Sequence, residues 1–110
     1  MEKVKNADII VFATPIYYYE MSGQMKTLLD RLNPLYPTDY KFRKVYMLAT
    51  AAEDGDFVFE KAYSGLGSWV DCFEKAELCG LVTGGEIDKP NDAQNHTDAV
   101  ERAYKMGKNL

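Results

Sequence analysis

An unbroken apolar run, Ile9-Ile10-Val11-Phe12-Ala13, flanked by Asp8 and Thr14 and followed at once by Pro15, limits most what this chain can fold into. The run is rich in β-branched residues and does not alternate with polar ones. That pattern predicts a parallel strand covered on both faces. Pro15 is read as ending the strand and opening a loop. From Met21 the period changes: Met21, Met25, Leu28, Leu29 and Leu32 recur at three- and four-residue steps. This predicts an amphipathic helix, capped by Ser22 and stopped before Pro34. The stretch from Asn33 to Phe42, with two prolines and two tyrosines, reads as a connecting loop.

A second mostly apolar strand is expected over Lys44 to Ala52, broken by the turn residues Glu53-Asp54-Gly55-Asp56. Phe59, Tyr63, Leu66, Val70 and Phe73 then mark a second helix. Gly65 and Gly67 inside it each cost about 1 kcal/mol relative to alanine, so close packing or a bend is expected there. A third strand lies near Leu78 to Ile87, and a last helix carries Val100, Ala103, Tyr104, Gly107 and Leu110. Strands alternating with helices imply right-handed βαβ crossovers and a parallel sheet. The count of three strands and three helices is short for a doubly wound domain, and 110 residues hold one domain at most.

Charge and composition exclude several functions. A net charge of −4 without a basic cluster argues against nucleic-acid or anionic-membrane binding. No apolar stretch approaches the roughly 18 residues of a membrane span, and the first eight residues lack the apolar core of a signal peptide, so a cytoplasmic location is expected. Cys72 and Cys79 fit no CxxC redox or zinc spacing, and a single histidine, His96, leaves a metal site little to use.

The informative stretch is Thr14-Pro15-Ile16-Tyr17-Tyr18-Tyr19-Glu20-Met21-Ser22-Gly23-Gln24-Met25-Lys26, closing with Asp30-Arg31. Ligands of open α/β sheets bind just beyond the carboxyl ends of strands, and this loop leaves one. Tyr17 and Tyr18 offer flat faces to an aromatic ring, and the helix opening at Ser22-Gly23 is expected to aim its positive end at the same place. On spacing alone, the three tyrosines could equally cap a core or form a subunit contact. Lys26 is expected in solvent, Asp30 and Arg31 to tie the helix end into neighbouring structure, Trp69 and Phe73 to lie in the core, and His96 to face solvent. No catalytic dyad stands out.

The same residues resemble the NADPH-dependent FMN reductase family, and more narrowly the iron–sulfur flavoprotein and multimeric-flavodoxin branch of the flavodoxin-like superfamily. The resemblance rests on Ala7 to Tyr18, Ser22-Gly23-Gln24-Met25-Lys26 and Asp30-Arg31, and continues more loosely to the end of the chain. It implies an FMN-dependent NAD(P)H oxidoreductase in which Thr14, Pro15, Ile16, Tyr17 and Tyr18 wrap the flavin ring. Thr50, Ala51, Ala52, Glu53 and Asp54, on the loop after the next strand, would lie against it, with Glu53 and Asp54 standing where relatives often have glycine.

Members of that family begin with a strand, a serine- and glycine-rich loop for the FMN phosphate, a helix, a second strand and another helix. Met1 to Ala7 resemble only the last turns of that second helix. The resemblance therefore implies residues 1–110 as the C-terminal portion of a flavodoxin-like FMN-binding domain: an α/β fold with three parallel strands, 3-4-5 of the order 2-1-3-4-5, and helices on both faces. No iron–sulfur cluster is expected. Hydrogen bonds to a charged group contribute about 1.5–3 kcal/mol each, so losing two or three phosphate contacts would weaken FMN binding by roughly three to five decades. The opening strand would lie at an edge, which implies a homo-oligomer or a complementing N-terminal polypeptide. The competing reading is a non-catalytic truncated remnant that folds and self-associates without holding flavin tightly. A response regulator shares the architecture, but it needs clustered aspartates at strand ends and a late lysine, and Asp54 alone does not make that site.

Overall fold

The computed structural model describes residues 1–110. Strands β1 (Ile9–Tyr17), β3 (Lys44–Thr50) and β4 (Glu77–Gly84) lie side by side, and a two-residue strand β2 (Glu20–Met21) completes the sheet in the order β2-β1-β3-β4. β1 and β3 pair in parallel from Ile9 opposite Lys44 to Pro15 opposite Thr50, and β3 pairs in parallel with β4, with a register shift at Val45/Tyr46. β2 folds back antiparallel on the end of β1. The helices are α1 (Glu2–Asn6), α2 (Gly23–Arg31), α3 (Glu60–Asp71) and α4 (Thr97–Lys108). The expected α/β architecture is present, with one more strand and one more helix than the periodicities implied.

Pro15 does not end β1, which runs on to Tyr17. β1 is the outermost long strand, and proline is tolerated there because only one side of such a strand carries a ladder. The expectation that β1 is covered on both faces is also corrected. Ile10, Phe12, Thr14 and Ile16 are buried, whereas Val11 is 39% exposed and Ala13 also faces out. The reason is the position of α4, which packs on β4 and leaves β1 uncovered on that side.

The core lies on the other face. Val45, Met47 and Ala49 of β3 point towards Ala62, Leu66 and Val70 of α3 and Met25 and Leu29 of α2. Leu48, Thr50 and Val82 point the opposite way, across a narrow groove from Ala99, Val100 and Ala103 of α4. Trp69 and Phe73 are core residues, as expected. Trp69 lies 4.4 Å from Phe73 and 5.5 Å from Phe12, and its indole N–H donates to the Leu29 carbonyl at 3.1 Å. α2 starts where Ser22 predicts, with Ser22 Oγ accepting from the Met25 amide at 3.1 Å. Such a cap contributes about 1 kcal/mol. Asp30 does not reach neighbouring structure: it pairs with Lys26 on its own helix at 2.7 Å, and Arg31 is exposed.

The segment read as a plain loop, Asn33 to Phe42, contains a turn of 3-10 helix at Asn33–Leu35 and buries Leu35, Tyr40 and Phe42. Gly65 and Gly67 sit on packed faces of α3 against Met21 and Leu78, at ordinary contact distances that would admit a methyl group.

Candidate functional site

The carboxyl ends of β1 and β3 open on one side of the sheet, and two segments meet there. The first is the β1–β2 hairpin. Tyr17 pairs with Glu20, leaving Tyr18 and Tyr19 as a two-residue turn with φ of 52° and 68°. Both residues are left-handed, the arrangement of a type I′ turn, for which asparagine and glycine are the ordinary choice. A left-handed residue with a side chain costs about 1–2 kcal/mol, and such strain gathers at functional sites. The turn presents its rings outward: Tyr17 is 61% exposed and Tyr18 is 95% exposed.

Thr14 anchors this hairpin from within. Its hydroxyl donates to the Pro15 carbonyl at 2.8 Å and accepts from the Ser22 amide at 3.0 Å, out of contact with solvent. The threonine of the motif therefore works as an internal brace, joining the end of β1 to the start of α2.

The second segment follows β3. Ala51 donates its amide to the Gly84 carbonyl at 3.0 Å and accepts from the Ile87 amide at 2.9 Å, which fastens this loop to the end of β4. Behind it Asp54 packs on Gly85 so closely that a Cβ there would lie 2.8 Å from the Asp54 Cα. Gly85→Ala should therefore displace the Asp54 backbone and lower stability by about 1–3 kcal/mol, as overpacking does. Gly84→Ala meets chiefly the mobile end of Ile87 and should cost less. Thermal unfolding of the two variants side by side checks this: equal shifts would remove the close approach as the cause.

Between the two segments lies a cleft of about 450 Å³, lined by Ile16, Tyr17, Tyr18, Tyr19, Ala51, Ala52, Glu53 and Val58. Six of the ten residues expected to meet a ligand are thus brought together. Thr14, Pro15 and Thr50 border a neighbouring cleft of about 340 Å³ with Ala13 and Leu48. Asp54 lines neither cleft. Ser22 and Gly23 line neither as well, so the start of α2 is not aimed into the cleft as expected.

Tyr19 and Val58 were missed. Tyr19 belonged to the tyrosine run and could have been included; an isolated valine after a turn carries no signal. The Tyr19 hydroxyl donates to Glu53 Oε1 at 3.1 Å, and its ring lies 6.2 Å from that of Phe57. This bond ties the hairpin tip to the second loop. The same hydrogen bond, then the charge of Glu53, holds the Tyr19 phenol above its usual pKa.

A somewhat larger cavity, about 510 Å³, lies between α2 and α3 against Met21, Leu29 and Trp69, rimmed by Glu20, Lys26, Asp30 and Ser68. It sits on helix surfaces and not at the strand ends, where ligands of such sheets bind. The tyrosine cleft lies at the strand ends and brings three tyrosines together with the small Ala51 and Ala52.

A mostly parallel sheet with helices on both faces and a cleft at its carboxyl edge is an open α/β architecture, consistent with part of a flavodoxin-like fold. The family described as NADPH-dependent FMN reductase matches the chain over residues 1–72, which include both segments of the cleft. The chain belongs to that family. A comparison with curated proteins gave no match.

Proposed function

We propose that this chain is the ring-binding part of an FMN-dependent NAD(P)H oxidoreductase. The observation that carries the reading is the tyrosine-lined cleft at the ends of β1 and β3. Tyr17 and Tyr18 supply stacking faces, and Ala51 and Ala52 leave space for the ring. A flavin held there would supply the hydride and electron-transfer chemistry between NAD(P)H and an acceptor. The protein orients the ring and needs no acid or base of its own.

FMN is held weakly in this proposal. The cleft contains no lysine or arginine to meet a phosphate, and Glu53 is its one charged residue. The expected dissociation constant is on the order of micromolar or weaker. The same feature favours the second reading, a domain that folds without turnover. Titrating FMN with protein and following flavin fluorescence tests the site: saturable quenching supports it, and none at high protein concentration overturns it. NADPH consumption with a quinone, measured against a free-FMN control, then separates enzyme from remnant. Cys72 and Cys79 are both free thiols, which suits a cytoplasmic location.

The outer edge of β1 supports a proposal about assembly. From Ile9 to Pro15 that edge has no strand beside it and the segment carries no charge, so Pro15 at its end is its one guard against edge pairing. We propose that two copies join there about a two-fold axis. Sedimentation at micromolar concentration should show a dimer. A stable monomer contradicts this, and a monomer that pairs only with an added N-terminal polypeptide assigns the edge to that partner.

A further inference from the structure

We infer that the cleft selects among planar ligands by charge, favouring uncharged and cationic rings over anionic ones, with Glu53 as the selecting residue. The inference rests on the reading of the cleft as a flavin-type site and specifies what else it admits, above all the electron acceptor.

The cleft is lined from two segments, residues 16–21 and 51–59. They contain four carboxylates, Glu20, Glu53, Asp54 and Asp56, and no lysine, arginine or histidine; Glu53 is the one acidic residue in the lining, and the others flank the lining in sequence. None of the four takes part in an ion pair: the cationic side chains that do pair are Lys26, Lys75, Arg102 and Lys105, each with another acid elsewhere. Glu53 lines the cleft itself, and its one side-chain hydrogen bond, from the neutral Tyr19 hydroxyl, leaves its negative charge in place. Aromatic faces add to the effect, because the face of a tyrosine ring is the negative end of its quadrupole and attracts cations. A ring entering beside Tyr17, Tyr18 and Glu53 therefore meets the negative charge of Glu53 with no cationic side chain in the lining to offset it. An anionic substituent raises the free energy of the complex, and a cationic one lowers it.

The size of the effect follows from distance. A unit charge held roughly 6–8 Å from Glu53 in a largely aqueous surrounding changes affinity by about two- to threefold. Salt screens much of such an exposed interaction.

The test uses one ring with three substituents: flavins carrying a methyl, a carboxymethyl or an aminoethyl group at N10, titrated by fluorescence at low and high salt. Affinity should fall in the order aminoethyl, methyl, carboxymethyl, with about two- to threefold between the last two. The spread should shrink at high salt and in Glu53→Gln, whose amide still accepts from Tyr19. Tyr19→Phe, which removes the hydrogen bond and keeps the charge, should preserve the order. Equal affinities for the three, or tightest binding of the carboxymethyl compound, overturns the charge selection while leaving the flavin cleft standing. A spread that survives in Glu53→Gln moves the selection away from Glu53 and overturns its assignment. Binding of none of the three fails the flavin reading, and this inference with it.

Discussion

Replacing Tyr18-Tyr19 by Asn-Gly is expected to raise the unfolding midpoint and, in the same protein, to weaken flavin binding about tenfold or more. The stability gain comes from the turn. Tyr18 and Tyr19 hold φ of 52° and 68°, where a side chain costs about 1–2 kcal/mol at each position. Asn-Gly fits the same type I′ geometry with little strain. Against this stands the loss of the exposed Tyr19–Glu53 hydrogen bond, worth about 0.5–1.5 kcal/mol. The remainder is roughly 2 kcal/mol in favour of the variant, or about 8 °C for a domain of this length. Binding moves the other way, because two of the three rings at the cleft are removed, each contributing about 0.5–1.5 kcal/mol beyond its buried area. Thermal unfolding and a flavin titration on one preparation read both quantities. Unchanged affinity would take the hairpin out of the site. A lower midpoint would mean that the left-handed tyrosines carry no strain.

That opposition of signs shows what the sequence could and could not disclose. The strand–proline–tyrosine pattern pointed to the edge where the cleft lies, because an apolar run ending in a turn puts its last residues at the carboxyl edge of a sheet. It did not reveal the hairpin. Tyr-Tyr is a poor type I′ turn by local preference, and only the pairing of Tyr17 with Glu20 imposes it. Thr14 belongs to the motif, yet nothing in the pattern foretold that its hydroxyl turns inward to Pro15 and Ser22. A one-dimensional pattern says which residues come together, not which way a side chain turns. The second loop was legible as a turn from Glu53-Asp54-Gly55. Its attachment to β4 through Ala51 and its close approach to Gly85 join residues more than 30 positions apart, beyond the reach of any local signal. The half-open sheet was hidden for a similar reason. Ile9 to Ala13 are apolar on both faces, yet α4 lies over β4, so only the contacts of a distant helix decide which face of β1 is covered.

Phe42→Ala is expected to destabilise the chain by about 3–5 kcal/mol, the largest effect of any substitution considered. Phe42 is 0% exposed and lies in a connection, outside every strand and helix. Its ring is 4.7 Å from Tyr40 and 5.3 Å from Phe73, and it stacks at 6.3 Å on Trp69. Tyr40 in turn accepts from the Lys75 amide at 2.9 Å, so the cluster holds the connection before β3 to the one after α3. Domains commonly have about 5–15 kcal/mol in all, and a sheet packed fully on one face belongs at the low end of that range. The variant should therefore be largely unfolded near 37 °C, with its urea midpoint far below that of the parent. Tyr36→Ala, in the same connection but with a ring 53% exposed, should shift the midpoint by no more than about 0.5 kcal/mol. Comparable losses in the two variants would show that the connection is held by its backbone. A large loss in Phe42→Ala alone places the anchor of the fold in the aromatic cluster, on the packed face of the sheet, leaving the strand ends free to carry a strained and exposed cleft.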